Sequence, residues 1–243
     1  MAGKVSVKKQ KSPTKKSSPL LMDVVTTFPQ MFDSILGESI LKIAQEKKKI
    51  KVRCVQLRDF AQDKHKLTDD KPFGGGPGMV MKAEPFFHCV EELKKDSPNA
   101  HVVLLTPAGE PFKQKTAKSL TKKKHLIFLC GHYEGLDERV REHLVDEEIS
   151  LGDFVLTGGE IPTMVVIDAV TRLLPGVLGN KESIKQESFQ QGILDHPHYT
   201  RPREFRGHVV PEELMTGNHA KVEKWRKEQA LKRTRKRRPD LLK

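Results

Sequence analysis

The chain is poor in the features that mark several common protein classes. Its three cysteines, Cys54, Cys89 and Cys130, are odd in number and far apart among 243 residues, and none is in C-x-x-C spacing. That points to reduced thiols in a cytosol-like compartment rather than a disulfide framework or zinc site. No apolar run approaches the roughly 20 residues that span a bilayer, so a soluble protein with no membrane partner is expected. Two phosphate-binding fingerprints are also missing, G-x-x-x-x-G-K-[ST] and a G-x-G-x-x-G after a strand. Acidic residues are absent from the first 22 positions, which hold six lysines.

What is present is unevenly spread. Residues 219–243 carry eleven Lys plus Arg against three acids, and removing this +8 and the N-terminal +6 from the overall +12 leaves residues 23–218 at −2. A near-neutral body thus has two basic ends. The stretch 1–21, rich in Lys, Ser and Pro without apolar periodicity, is expected to be a disordered extension. The C-terminal run suits a polyanion such as RNA.

From Met22 the chain alternates short apolar runs with helix-like segments. Strands are expected at 22–28, 50–57, 101–106 and 125–130, and helices at 30–47, 83–95, 113–123, 137–144 and 160–174. This alternation implies an α/β protein with a mostly parallel sheet covered on both faces. Ligands of such sheets sit beyond the carboxyl ends of the strands. Three polar, glycine-containing loops leave those ends: 106–110, 131–140 and the segment FVLTGG that opens the last helix. Gly152, Gly158 and Gly159 let the backbone come close to a bound molecule, and the N–H groups at a helix start favour polar or anionic ligands. The spacing fits either a ligand-binding turn or a plain strand-turn-helix corner.

Beyond the last apolar helix, residues 176–200 lose periodicity, as functional or disordered connections do. Asn218 is then a good N-cap for a basic helix running to Pro239, with Val222 and Trp225 sharing a face. The loop 65–82 holds GGGPG, which cannot lie inside a helix or strand.

Several strings in this chain, taken in order, resemble those of the bacterial-type tRNA (guanine-N1)-methyltransferases: FPQMF (28–32), PFGGGPGMVM (72–81), CGHYEGLDERV (130–140), EISLGDFVLTGGE (148–160), LLPGVLGN (173–180), LDHPHYTRP (194–202) and GNHAKVEKWRKEQAL (217–231). The likeness runs from about Met22 to Leu242. It implies a SPOUT-type α/β fold, with a parallel sheet threaded into a deep trefoil knot at 22–178. A linker at 179–200 and a small basic α-helical C-terminal domain at 201–243, binding tRNA, would follow. It further implies methylation of N1 of guanosine 37 of tRNA, beside the anticodon, with S-adenosylmethionine as donor, in a homodimer whose active sites are built from both chains.

By motif, the donor pocket would use Leu105, Gly109, Gly131, Glu134 and Gly135 from the first two loops. Ser150, Leu151, Gly152, Asp153, Phe154, Val155, Leu156, Gly158, Gly159 and Pro162 would complete it. Guanine N1 is protonated at neutral pH, so the reaction needs a general base and a group to hold charge developing on O6. The resemblance gives the second task to Arg172. The base falls to Glu187, where the family has an aspartate before Ser-Phe, with Asp195 as the alternative carboxylate. Glu134 and Asp195 are the positions near which magnesium would bind. Asp69, Asp70, Gly78, His198 and Arg201 would meet the tRNA. A ribosomal-RNA methyltransferase of the same fold and a non-catalytic basic RNA-binding protein are the alternatives. The GNHAKVEKW segment speaks against the first. The clustered glycine loops with Glu134 and Arg172 speak against the second.

Overall fold

The computed structural model describes residues 18–179 and 187–243. Most of the basic extension 1–21 and part of the linker, 180–186, lie outside the described residues.

Five parallel strands form the central sheet in the order β2-β1-β6-β5-β7. They are β1 (Leu20–Thr26), β2 (Ile50–Gln56), β5 (His101–Pro111), β6 (His125–Leu129) and β7 (Glu147–Ser150). Two short antiparallel pairs lie outside this sheet: β3 (Asp69–Asp70) with β4 (Val80–Met81), and β8 (Glu204–Phe205) with β9 (His208–Val209). The helices α1 (Asp33–Leu36), α2 (Ser39–Glu46), α3 (Ala83–Lys94), α4 (Gln114–Leu120), α5 (Glu138–Leu144) and α6 (Glu160–Thr171) fill the crossovers, and α7 (His219–Arg237) follows the linker. No helix among the described residues is long and apolar enough to cross a membrane.

The expected α/β class is what the chain forms, and the pleat shows why. Successive side chains of a strand point to opposite faces. Along β6, Leu126 and Phe128 join one apolar cluster with Leu41 of α2, Leu120 of α4 and Val166, Ile167 and Val170 of α6. Ile127 and Leu129 point the other way, into a second cluster with Phe86, Cys89 and Val90 of α3 and Val140 of α5. A strand buried on both faces reads as an unbroken apolar run, as HLIFL does.

Three local expectations differ, and the structure adds one strand that the sequence did not announce. The first strand begins at Leu20 rather than Met22, because Leu20 N–H donates to the Lys49 carbonyl beside it. The helix expected over 30–47 is a 3₁₀ turn (Pro29–Phe32) followed by α1 and α2, parted at Gly37, with Ser39 at φ 50°. FVLTGG is a loop. The strand feeding it is EEIS, an edge strand whose Glu147 and Glu148 are held by His101 Nε2 at 2.9 Å and Arg141 Nε at 2.8 Å. β5 runs to Pro111 instead of Thr106, with an outward bulge: Leu105 and Glu110 both register with Ile149, so Thr106–Gly109 loop out.

The basic C-terminal helix forms as expected. Asn218 Oδ1 accepts from the N–H groups of Ala220 and Lys221, which caps α7. Thr234 on its inner face is fully buried. It accepts from Leu194 N–H at 2.9 Å and thereby fastens the described part of the linker to the helix.

Candidate active site

A cavity of about 320 Å³ lies at the carboxyl ends of β5, β6 and β7, walled by the bulge of β5, the turn 131–138 and the loop 149–159 with Pro162. Of the residues expected to hold the donor, all but Gly109 and Asp153 line it. Gly109 serves the sheet instead: a Cβ there would stand 2.5 Å from Ile149 N and 2.6 Å from Glu148 C, so glycine lets β5 and β7 touch. Asp153 is exposed to solvent. Thr106, Pro107, His132, Tyr133, Glu138 and Arg141 also line the cavity, and the motif reading did not assign them.

Glycines shape this cavity by close approach. A Cβ on Gly131 would meet Leu136 Cδ1 at 2.4 Å, and one on Gly159 would lie 2.8 Å from Cys130 Cα. Gly158 sits against His132 and Glu160. Glu160, only 1 % exposed, is the buried hub: it accepts from Thr26 Oγ1 at 2.6 Å and pairs with His132 Nε2 at 2.7 Å. An acid in the first turn of a helix reads in sequence as an ordinary complement to the helix dipole. Its cross-chain partners 28 and 134 positions away gave no local signal.

The glycine-rich loop 65–82 is stitched to the cavity wall. Glu134 N–H donates to Met79 O and Met81 N–H to Gly135 O. Gly78, expected to face tRNA, packs closely against Glu134, leaving no room for a Cβ beside Glu134 Oε1. Asp69 and Asp70 form the short strand opposite Met81 and Val80. Gly74, Gly75 and Gly76 all take positive φ, a run only glycine tolerates, and Phe73 beside them is fully exposed.

A second, wider groove of about 720 Å³ lies along α6, lined by Ile161, Val165, Asp168, Arg172, Glu187, Ser188, Phe189 and Asp195 among others. It brings the three expected catalytic residues together. Arg172 donates two hydrogen bonds to Glu187, at 2.6 and 2.8 Å. This bonding raises the guanidinium above its ordinary value against an opposing effect of burial, so it stays charged. His198 Nε2 lies 2.9 Å from Asp195 Oδ2, while Arg201 is exposed just beyond. Among the described residues none lines both cavities, and Glu134 and Asp195 belong to different ones.

The thiols take no part. Burial pushes Cys54 up to about 11 and Cys89 up to about 12, and Cys130 well above its usual value, so all three remain protonated.

The sequence was compared with known proteins. The family described as tRNA (Guanine-1)-methyltransferase TrmD matches residues 20–243. A tRNA (guanine-N(1)-)-methyltransferase of Anoxybacillus flavithermus is 56% identical over 222 residues, covering 91% of each chain. One of Bacillus subtilis is 54% identical over 223 residues, covering 91% of this chain and 92% of its own, and one of Bacillus cereus is 55% identical over 222 residues, covering 91% of each. With the match running from the first strand through the capped basic helix, the chain belongs to the tRNA (guanine-1)-methyltransferase TrmD family.

Proposed function

We propose that this chain methylates N1 of guanosine in tRNA, at position 37 beside the anticodon, taking the methyl group from S-adenosylmethionine and acting as a homodimer in the cytoplasm. The observation that carries this reading is the pairing of a glycine-walled pocket with a separate groove holding Arg172, Glu187 and Asp195.

The first cavity fits the donor. Its volume falls within the range of small-molecule sites, its walls mix Leu104, Leu105 and Leu136 with main chain, and Glu134 provides a carboxylate for a cationic sulfonium. The bound donor supplies an electrophilic methyl group. Everything else is the work of side chains in the groove. Arg172 and Glu187 present an N–H donor beside a carboxylate acceptor, which matches the O6 acceptor and N1–H donor adjacent on guanine. A guanine that parts the pair gives O6 to Arg172 and the N1 proton to Glu187, so charge on O6 is stabilised as N1 becomes nucleophilic. Asp195 stands by as a second carboxylate.

The two cavities share no residue, which favours an active site completed by a second copy. Val155, 85 % exposed, and the exposed Phe154, Ile161 and Val165 supply apolar surface for that contact. In this reading residues 22–178 bind the donor, 179–200 link, and 201–243 hold the tRNA, with Arg235, Lys236 and Arg237 of α7 exposed to meet phosphates.

The test is incubation with labelled donor and a tRNA carrying guanosine at positions 36 and 37, followed by mapping of the modified base. Label at N1 of the second guanosine is expected, and its absence overturns the reading. Glu187→Gln is expected to lower kcat by about 10²–10⁴. Near-normal turnover in Glu187→Gln with none in Asp195→Asn would move the base to Asp195.

A further inference from the structure

Asp195, His196 and His198 bring three ligating atoms within 4.8 Å of one another, the one such cluster among the described residues. Asp195 Oδ2 lies 2.9 Å from His198 Nε2 and its Oδ1 lies 3.8 Å from His196 Nδ1, so a modest turn of the carboxylate is also needed for one oxygen to serve, and the two imidazole rings pack 4.4 Å apart. Donors about 2.0–2.2 Å from a tetrahedral zinc-sized ion stand roughly 3.4 Å from each other. The two carboxylate–imidazole spacings bracket that value, so small ring rotations would complete the set.

The cluster is anchored from behind. Asp195 N–H donates to Ser188 Oγ, its carbonyl accepts from Arg233 of α7, and Leu194 N–H donates to Thr234, all at 2.9–3.0 Å. Such outer bonds are what hold metal ligands in orientation. His196 is 8 % exposed, against Trp225, while the His198 side chain is 70 % exposed and leaves an entry path. His196 also packs on Trp225, and its Nδ1 lies 3.3 Å from the Pro197 carbonyl, a contact that a bound ion would replace. Two ring nitrogens, one carboxylate oxygen and an open fourth position suit a borderline ion such as zinc or cobalt. Magnesium instead demands octahedral oxygen ligands.

We propose that Asp195, His196 and His198 form a binding site for a divalent transition-metal cation of the zinc type, distinct from any requirement of methyl transfer. Because Asp195 lines the substrate groove, the bound ion inhibits tRNA methylation. Only that inhibition rests on the function proposed above.

The full chain, without a histidine tag, is titrated with cobalt(II), zinc(II) and magnesium(II). Trp225 is the only tryptophan and its ring centre is 6.5 Å from that of His196. Cobalt is expected to quench its fluorescence with one ion per chain and to give the visible absorption of a tetrahedral site. Zinc should displace the cobalt, and millimolar magnesium should change neither signal. His198→Ala should weaken cobalt binding at least about tenfold, and Asp195→Asn provides a second variant. Unsaturable quenching, equal competition by magnesium, or full-strength binding in both variants overturns the proposal and leaves the methyltransferase reading standing. Saturable binding with no guanosine methylation in zinc- and cobalt-free buffer containing magnesium overturns only that reading.

Discussion

Replacing Gly158 by alanine tests how tightly the proposed donor pocket is built. The added methyl would sit 2.3 Å from His132 Nε2, 2.4 Å from its Cε1 and 2.6 Å from Glu160 Oε2, where ordinary contact begins near 3.4 Å. Gly158 is not in the left-handed region, so the cost is steric rather than conformational. Ring and carboxylate must separate from the new methyl by about 1 Å, which stretches the 2.7 Å His132–Glu160 bond beyond hydrogen-bonding range. Weakening a buried charged hydrogen bond costs about 1.5–3 kcal/mol, and local overpacking a similar amount that overlaps it. A total of about 3 kcal/mol lowers Tm by roughly 6–12 °C in a chain of this size. Circular-dichroism melting measures the loss, and calorimetry should show donor affinity falling with it. In a His132→Ala background the ring atoms are gone, so the same substitution should cost less than about half as much, a coupling visible in a double-mutant cycle. A Tm change under about 2 °C, or the same cost in both backgrounds, refutes the reasoning.

Other outcomes follow from geometry elsewhere. Burial alone would push the Asp23 carboxyl up, but hydrogen bonds from His125 and Arg53 outweigh it and hold the group below its ordinary range. Its folded value thus lies below the unfolded one near 3.9, so the stabilisation is complete above about pH 5 and drains away as acid titrates the folded carboxyl. Asp23→Asn should cost about 3 kcal/mol at pH 7, the low end for a broken buried pair because Arg53 is 43 % exposed, and urea midpoints should then fall less on acidification than in the parent. Gly109→Ala, whose methyl meets only main chain of β7, should lower the melting temperature while the folded fraction keeps its donor affinity in calorimetry. Neutralising Arg235, Lys236 and Arg237 together should flatten the salt dependence of tRNA binding by about one unit of slope per lost phosphate contact. Arg238 should contribute less, since it is bonded to Asp240. A thiol reagent should reach half-buried Cys54 before Cys89 and Cys130, and should label the last two at the rate of global opening.

The sheet was legible because its inner strands are apolar on both faces: HLIFL admits no other placement. β7 was not, since an edge strand exposes one side and EEIS carries its acids in pairs with His101 and Arg141, which are distant in sequence. Motif resemblance picked out residues that line a single cavity nearly entire, but a motif cannot tell a glycine that lines a cavity from one that faces a neighbouring strand, as Gly109 does. The Thr26–Glu160–His132 hub escaped for a related reason. Its members lie on three segments that only the folded sheet brings together. The Arg172–Glu187–Asp195 cluster was reached through resemblance, and the fold supplies the proximity that spacing along the chain could not.

The bulge in β5 sets which side of the proposed donor pocket can move. Strand pairing holds β5 to β7 before Thr106 and again after Gly109, and Phe112 N–H continues the contact with Ser150 O at 2.7 Å. Thr106 and Pro107 therefore form a fixed jaw, which swings only if the sheet itself comes apart. The facing stretch, Asp153 to Thr157, is exposed along its length, so slow amide exchange in the β5–β7 pairs flanking the bulge should sit opposite fast exchange along 153–157.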